Sequence, residues 1–254
     1  MHPVLIAIGP IQIRFYGLMY VVAIITGYFL LKSEVKRRGI NLSTDDIMNF
    51  IFWVVLGGII GARIYYVAFS WEYYKLDWKE IPAIWHGGLA IHGGIIGGFL
   101  AAYAYTRKKG VPFFAMGDSV APGLILGQAL GRFGNFMNGD AHGVPTQMPW
   151  GVVFPPESIA GSQFPNMPLH PVQLYELFIN LAIFLFLWRI RKWPAKDGFI
   201  FALYLILYST GRFIVCFFRG DSLMIDGVRA AHVVSIVIIV IVLPIVIGKK
   251  LWAR

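Results

Sequence analysis

Eight side chains that can bind or move charge stand inside long apolar runs of this sequence: Tyr16, Arg63, His92, Arg132, Asn135, Glu176, Tyr208 and Arg212. Ionisable groups in hydrocarbon are costly unless paired or hydrated, which makes such residues functional candidates by default. Three arginines with few acids among them suit an anionic phosphate, because the planar guanidinium fork matches two phosphate oxygens. Arg132 also sits in a glycine-rich polar run, where backbone can come close to a ligand. The competing reading for Arg63 and Arg212 is snorkelling, in which the side chain reaches the interface only to settle a helix end. Four histidines, His86, His92, His142 and His170, raise the question of a metal, but no HExxH or Cys-His spacing is present, and no metal is expected. No GxSxG elbow is present either.

The elements that must position these groups follow from composition. Of 254 residues, 57% are hydrophobic and 14% charged, which excludes a water-soluble globule. Seven apolar segments can be marked, at 15–33, 47–69, 88–106, 113–137, 172–188, 199–218 and 231–248. Backbone hydrogen-bond demand in lipid makes each a helix. The expected fold is an all-α integral membrane protein of seven transmembrane helices, a single transmembrane domain over residues 1–254, with no cleavable signal peptide.

The net charge of +9 would suggest nucleic acid in a soluble protein. Here the basic residues cluster after alternate segments, at 32–38, 107–109, 189–196 and 249–254. They read as topology signals, and no nucleic-acid partner is expected. The positive-inside rule then puts the N-terminus outside and the C-terminus in the cytoplasm. With that orientation the eight residues named above fall at one depth, toward the outer leaflet, on six different segments. A shared hydrated site at headgroup depth, binding an anionic phospholipid, follows.

Residues 71–85 carry Trp71, Tyr74, Trp78, Ile81 and Trp85 at helical spacing, which suggests an interfacial helix or an aromatic belt loop. Residues 139–170 hold six prolines and should form a small irregular periplasmic cap. Ser43 with Asp45 and Asp46 supplies a helix N-terminus. Asp118 is expected to serve the N-terminus of its own helix. The GGIIG strings at 57–61 and 93–97 permit close helix packing. Cys216, the single cysteine, reads as a small buried hydrophobe.

Residues 131–143 read GRFGNFMNGDAHG, which resembles the signature GRxGNFxNxExxG of the bacterial prolipoprotein diacylglyceryl transferases. YGLMY at 16–20, GARIY at 61–65, LAIHGG at 89–94, HPVQLYE at 170–176 and YSTGRF at 208–213 are similar to further blocks of that family, so the resemblance covers nearly the whole chain. It implies a multi-pass enzyme of the bacterial cytoplasmic membrane, with its site toward the periplasm. Its substrates would be phosphatidylglycerol and the lipobox cysteine of a prolipoprotein, with a thioether formed and glycerol phosphate released. It also implies His92 as base, with Arg132, Asn135, Asn138, Asp140, Tyr16, Tyr208 and Arg212 in the site. The sequence departs from the pattern at Asp140, where the signature has Glu, and at Cys216, where relatives are expected to carry Glu.

That chemistry suits the residues. A thiol of ordinary pKa about 8.5 is a poor nucleophile when protonated, and a neutral imidazole can accept its proton. Arg132 and Arg212 can stabilise the charge that gathers on a departing phosphate. No cofactor is required. A lipid transporter is the main alternative, but transporters commonly show inverted repeats and midplane sites, and neither is apparent here.

Overall fold

The computed structural model describes residues 3–8 and 11–253. It is mainly α-helical. Among the described residues six helices are long and apolar enough to cross a membrane: α1 (Phe15–Arg38), α2 (Thr44–Phe69), α5 (Phe113–Asn138), α7 (Val172–Ile190), α8 (Phe199–Cys216) and α9 (Ala230–Gly248). The segment expected at 88–106 forms α4 (Ile91–Lys109), whose last turn carries Arg107, Lys108 and Lys109 and whose first half is rich in glycine. Its 19 residues suffice in length, but with its basic last turn it is not among the six helices apolar enough to cross. Two of the basic clusters lie inside helix ends, since α1 runs on through Arg38 and α4 through Lys109, where cations favour the helix dipole. Two small antiparallel ribbons were not foreseen: β1 (Val4–Ile8) with β2 (Ile11–Arg14), and β3 (Met224–Ile225) with β4 (Val228–Arg229).

The chain divides into two compact units, residues 31–116 and residues 1–30 together with 117–254. In the first, α2 begins with a reciprocal capping box between Ser43 and Asp46. The end of α4 returns to that start, where Lys109 Nζ lies 2.6 Å from Asp46 and the Tyr105 hydroxyl donates to the Asp46 carbonyl. Between these ends the two helices cross on the paired glycine strings. A methyl at Gly61 would lie 2.9 Å from the Gly97 Cα, and one at Gly57 would lie 2.7 Å from the Ala101 methyl. Only glycine lets the backbones approach this closely.

Residues 71–85 are not one interfacial helix. They form a single helical turn, α3 (Trp71–Tyr74), and 3-10 turns at Trp78–Glu80 and Ile84–His86. Asp77 accepts from the backbone N–H of Lys79, and Pro82 removes a donor between the two turns, so no continuous helix can form.

In the second unit α5, α7 and α8 meet on a core of Ala121, Ile125, Ile183, Leu187, Ile200 and Tyr204. Asp118 serves the start of a second helix. It is buried six residues into α5 and accepts from the backbone N–H groups of Gly198 (2.9 Å) and Phe201 (2.8 Å), capping α8. The segment 139–170 is irregular, as its prolines dictate, with one short helix, α6 (Ile159–Gln163). It is stitched to the chain beyond α8 by the bonds Val144 N–H to Phe218 O (2.9 Å) and Gly220 N–H to His142 O (3.1 Å). At that crossing a methyl on Gly143 would lie 2.7 Å from His170 Cβ and 2.9 Å from Phe218 O.

Candidate functional site

Glu176, in the second turn of α7, is 3% exposed and receives three arginines from three chain segments. Arg132 of α5 places Nε 2.7 Å from Oε2, Arg212 of α8 bonds Oε1, and Arg219 places a terminal nitrogen 2.9 Å from the same Oε1. Arg219 lies beyond α8 on the strand-like crossing with Gly143, so the cap delivers it. Its second terminal nitrogen is 2.7 Å from Asp221. Burial works to lower the pKa of Arg219, but Glu176 and Asp221 outweigh it and hold the guanidinium above its ordinary value. The arginines are thus not short of counter-charge, as the sequence suggested. Two of the acids that answer them are Glu176 and Asp221.

A second network grows from the end of α5. Gly139, at φ +67°, ends the helix in a left-handed turn that side-chain-bearing residues rarely adopt. The chain doubles back, and the Asp140 carboxylate accepts from the amides of Asn135 (2.7 Å) and Asn138 (2.8 Å). Asn135 in turn accepts from Arg132 at 3.3 Å. Gln173, buried on the first turn of α7, donates to the Asp140 carbonyl at 2.7 Å. Both Asp140 carboxylate oxygens are therefore engaged by amides, one of which also accepts from Arg132.

Tyr16 packs against α5 at Gly134, where a methyl would come within 3.2 Å of its ring, and its hydroxyl bonds that of Tyr20 at 2.9 Å. Tyr208 stacks on Tyr204, whose hydroxyl accepts from Gln128 at 3.1 Å. Arg132, Asn135, Asn138, Asp140, Glu176 and Arg212 form one connected network, with Tyr208 one turn before Arg212 on α8 and Tyr16 on α1 against Gly134.

His92 and Arg63 belong to the unit of residues 31–116. His92 is exposed in the first turn of α4, beside the tight glycine crossing, with its ring 5.9 Å from that of Tyr65. Arg63 does not fit the phosphate-binding expectation, nor does it snorkel. It is buried, and its guanidinium donates to the carbonyls of Glu80, Ile81, Ala83, Gly87 and Gly88 at 2.5–3.4 Å. Its five N–H groups are consumed in holding the loop before α4.

Arg219 and Asp221 were missed in the sequence because they stand past the apolar run of α8. The available signal was the charged RGD string at 219–221. The other three histidines weighed as metal ligands engage separate neighbours: His86 with Glu80 (2.8 Å), His142 with the Gly143 carbonyl and Gln163, and His170 with Tyr175 (3.0 Å). Cys216 is fully buried.

The fold defines a multi-helix membrane protein whose arginines converge on a buried carboxylate near one end of three helices. The chain belongs to the prolipoprotein diacylglyceryl transferase family, whose model matches residues 3–248. It is 42% identical to the phosphatidylglycerol–prolipoprotein diacylglyceryl transferase of Fusobacterium nucleatum subsp. nucleatum, with 95% of this chain and 96% of that protein aligned. Proteins of the same name from Trichormus variabilis and Staphylococcus xylosus are 44% and 40% identical, covering 92% and 99% of this chain and 84% and 91% of their own lengths.

Proposed function

We propose that this protein transfers the diacylglyceryl group of phosphatidylglycerol to the lipobox cysteine of a prolipoprotein, the first step of lipoprotein maturation. The observation that carries the reading is the convergence of Arg132, Arg212 and Arg219 on buried Glu176, in a chain of this family.

In the proposed reaction the cysteine sulfur attacks the glycerol carbon that carries the phosphate. The S–C bond forms, the C–O bond breaks, and its electron pair leaves on a phosphate oxygen of glycerol phosphate. The thiol proton passes to His92. Charge builds on the departing phosphate, where N–H groups of Arg132 and Arg212 not engaged with Glu176 stabilise it in a water-poor site. Glu176 fixes the arginines so that little reorganisation is needed as charge develops. Asn135 and Asn138, aimed by Asp140, offer neutral donors and acceptors to the glycerol headgroup, and the Tyr16 and Tyr208 hydroxyls complete the polar lining.

The reading includes α4 as a seventh span, the N-terminus outside, the C-terminus in the cytoplasm, and the cap and site toward the outer leaflet of the bacterial cytoplasmic membrane. The alternation of basic helix ends supports it. The test is to incubate purified protein with phosphatidylglycerol vesicles and a lipobox peptide, then seek the thioether-linked diacylglyceryl peptide by mass spectrometry. Unmodified peptide in the presence of folded protein would reject the reading.

A further inference from the structure

Between the arginine network and the apolar core of α5, α7 and α8 lies a layer of polar residues that nothing in the proposed reaction uses. Arg132, Glu176 and Arg212 meet on one side, and Ile125, Ile183 and Tyr204 meet on the other. One turn from the arginine network toward that core stand Gln128 on α5, Asn180 on α7 and Ser209 on α8. The three spacings, four residues before Arg132, four after Glu176 and three before Arg212, run in the same spatial direction, because α7 is antiparallel to the other two. The displacement is about 5–6 Å.

This layer is buried and unsatisfied. Asn180 is 3% exposed and Ser209 1% exposed. Asn180 Nδ2, Ser209 Oγ and Gln128 Oε1 are buried atoms without a hydrogen-bond partner among the described residues. Gln128 uses only its Nε2, on Tyr204. A buried donor left unpaired is costly, and a membrane helix would lose nothing by carrying an apolar residue in its place. The two donors in this layer, Asn180 Nδ2 and the Ser209 hydroxyl, point to a ligand that supplies acceptors.

We infer that this layer is a subsite for the ester carbonyls of the lipid, with Asn180 Nδ2 and the Ser209 hydroxyl as donors and Gln128 closing its third side. The inference rests on the proposed reaction and deepens it. With the phosphate on the arginines, the glycerol backbone descends one turn toward the hydrocarbon. Its two ester groups, on the carbons beyond the one attacked, then stand beside the unpaired donors. An ester carbonyl accepts a hydrogen bond well, and an alkyl ether in its place offers no carbonyl. The site therefore selects diester over diether lipids while the bond that breaks is the same in both.

The experiment compares diester and diether phosphatidylglycerol of matched chain length, in vesicles with a lipobox peptide, for the wild-type protein, Asn180→Leu and Ser209→Ala. Wild type is expected to favour the diester by about tenfold in kcat/KM, the worth of one or two hydrogen bonds. Each variant should lose about two- to tenfold with the diester, keep its rate with the diether, and melt no lower than wild type. Equal wild-type rates with the two lipids overturn the subsite and leave the transfer reaction standing, as expected if water satisfies the layer. Variants that lose rate equally with both lipids also overturn it, because that is the mark of a structural role. No transfer from either lipid removes the reaction and the subsite together.

Discussion

Arg132 Nε lies 2.7 Å from Glu176 Oε2, although the two residues belong to different helices and stand 44 positions apart in the chain. This pair joins the two networks of the site. Arg132 reaches Asn135 and through it Asp140, while Glu176 gathers Arg212 and Arg219. A buried carboxylate that holds three guanidinium groups is weak grounds for stability, because desolvation offsets most of the attraction, but it is an effective way to fix their positions.

Glu176→Gln should therefore release the cluster without emptying it. The amide keeps the volume and leaves three arginines to repel one another in a buried setting. Breaking a buried pair in this way costs roughly 3–5 kcal/mol. Thermal unfolding in detergent is expected to show a clear drop in midpoint, with transfer activity lost at temperatures where the variant is still folded.

Arg132→Lys keeps the charge but loses the planar fork that spans Glu176 and Asn135 at once. Turnover is expected to fall by at least tenfold, with protein level and melting midpoint near wild type. Near-normal turnover would show that a point charge suffices there.

At Asp140 the two oxygens each accept from a different amide, so the position needs two acceptors. Asp140→Asn turns one acceptor into a donor, facing the NH2 group of Asn135 or Asn138, a mismatch worth about 1–3 kcal/mol. Asp140→Glu keeps both acceptors and should retain most activity. Equal activity of the Asn variant would mean that the aiming of these amides does not limit the reaction.

His92→Gln separates proton transfer from positioning. Glutamine can donate and accept hydrogen bonds but takes no proton near neutral pH, so turnover should collapse at pH 7 while lipid binding persists. As pH rises toward the ordinary thiol pKa of about 8.5, the peptide supplies its own thiolate and part of the rate should return. A flat deficit across pH would assign His92 a structural role, and wild-type rates throughout would remove it from the reaction.

Arg63→Lys tests a structural assignment. Three ammonium donors cannot replace five guanidinium N–H groups fanned over the 80–88 loop. Hydrogen exchange in that loop is expected to quicken, with little change elsewhere. Unchanged protection would show that the loop holds itself.

The membrane class, six of the long helices, the capping of α2 by Ser43 and Asp46 and the role of the paired glycines were all legible in the sequence. Each rests on a local property: a run of apolar residues, a cap at fixed spacing, or small residues repeated along one helix face. The candidates Arg132, Asn135, Asn138 and Asp140 were legible for the same reason, since they fall within nine residues of one another and resemble a family signature. Which acid answers which cation was not. Glu176 lies on a different helix from Arg132 and Arg212, and Arg219 arrives only because Gly143 lets the cap cross the chain beyond α8. Asp118 looked like a cap for its own helix and caps another 80 positions away, while Arg63 looked like a phosphate ligand and holds a loop. Charge pairing and hydrogen-bond satisfaction depend on distances across the fold, and a buried polar group takes the partner that packing presents to it. The sequence by itself determined which residues must be kept from lipid, and the tertiary structure decided what each of them binds.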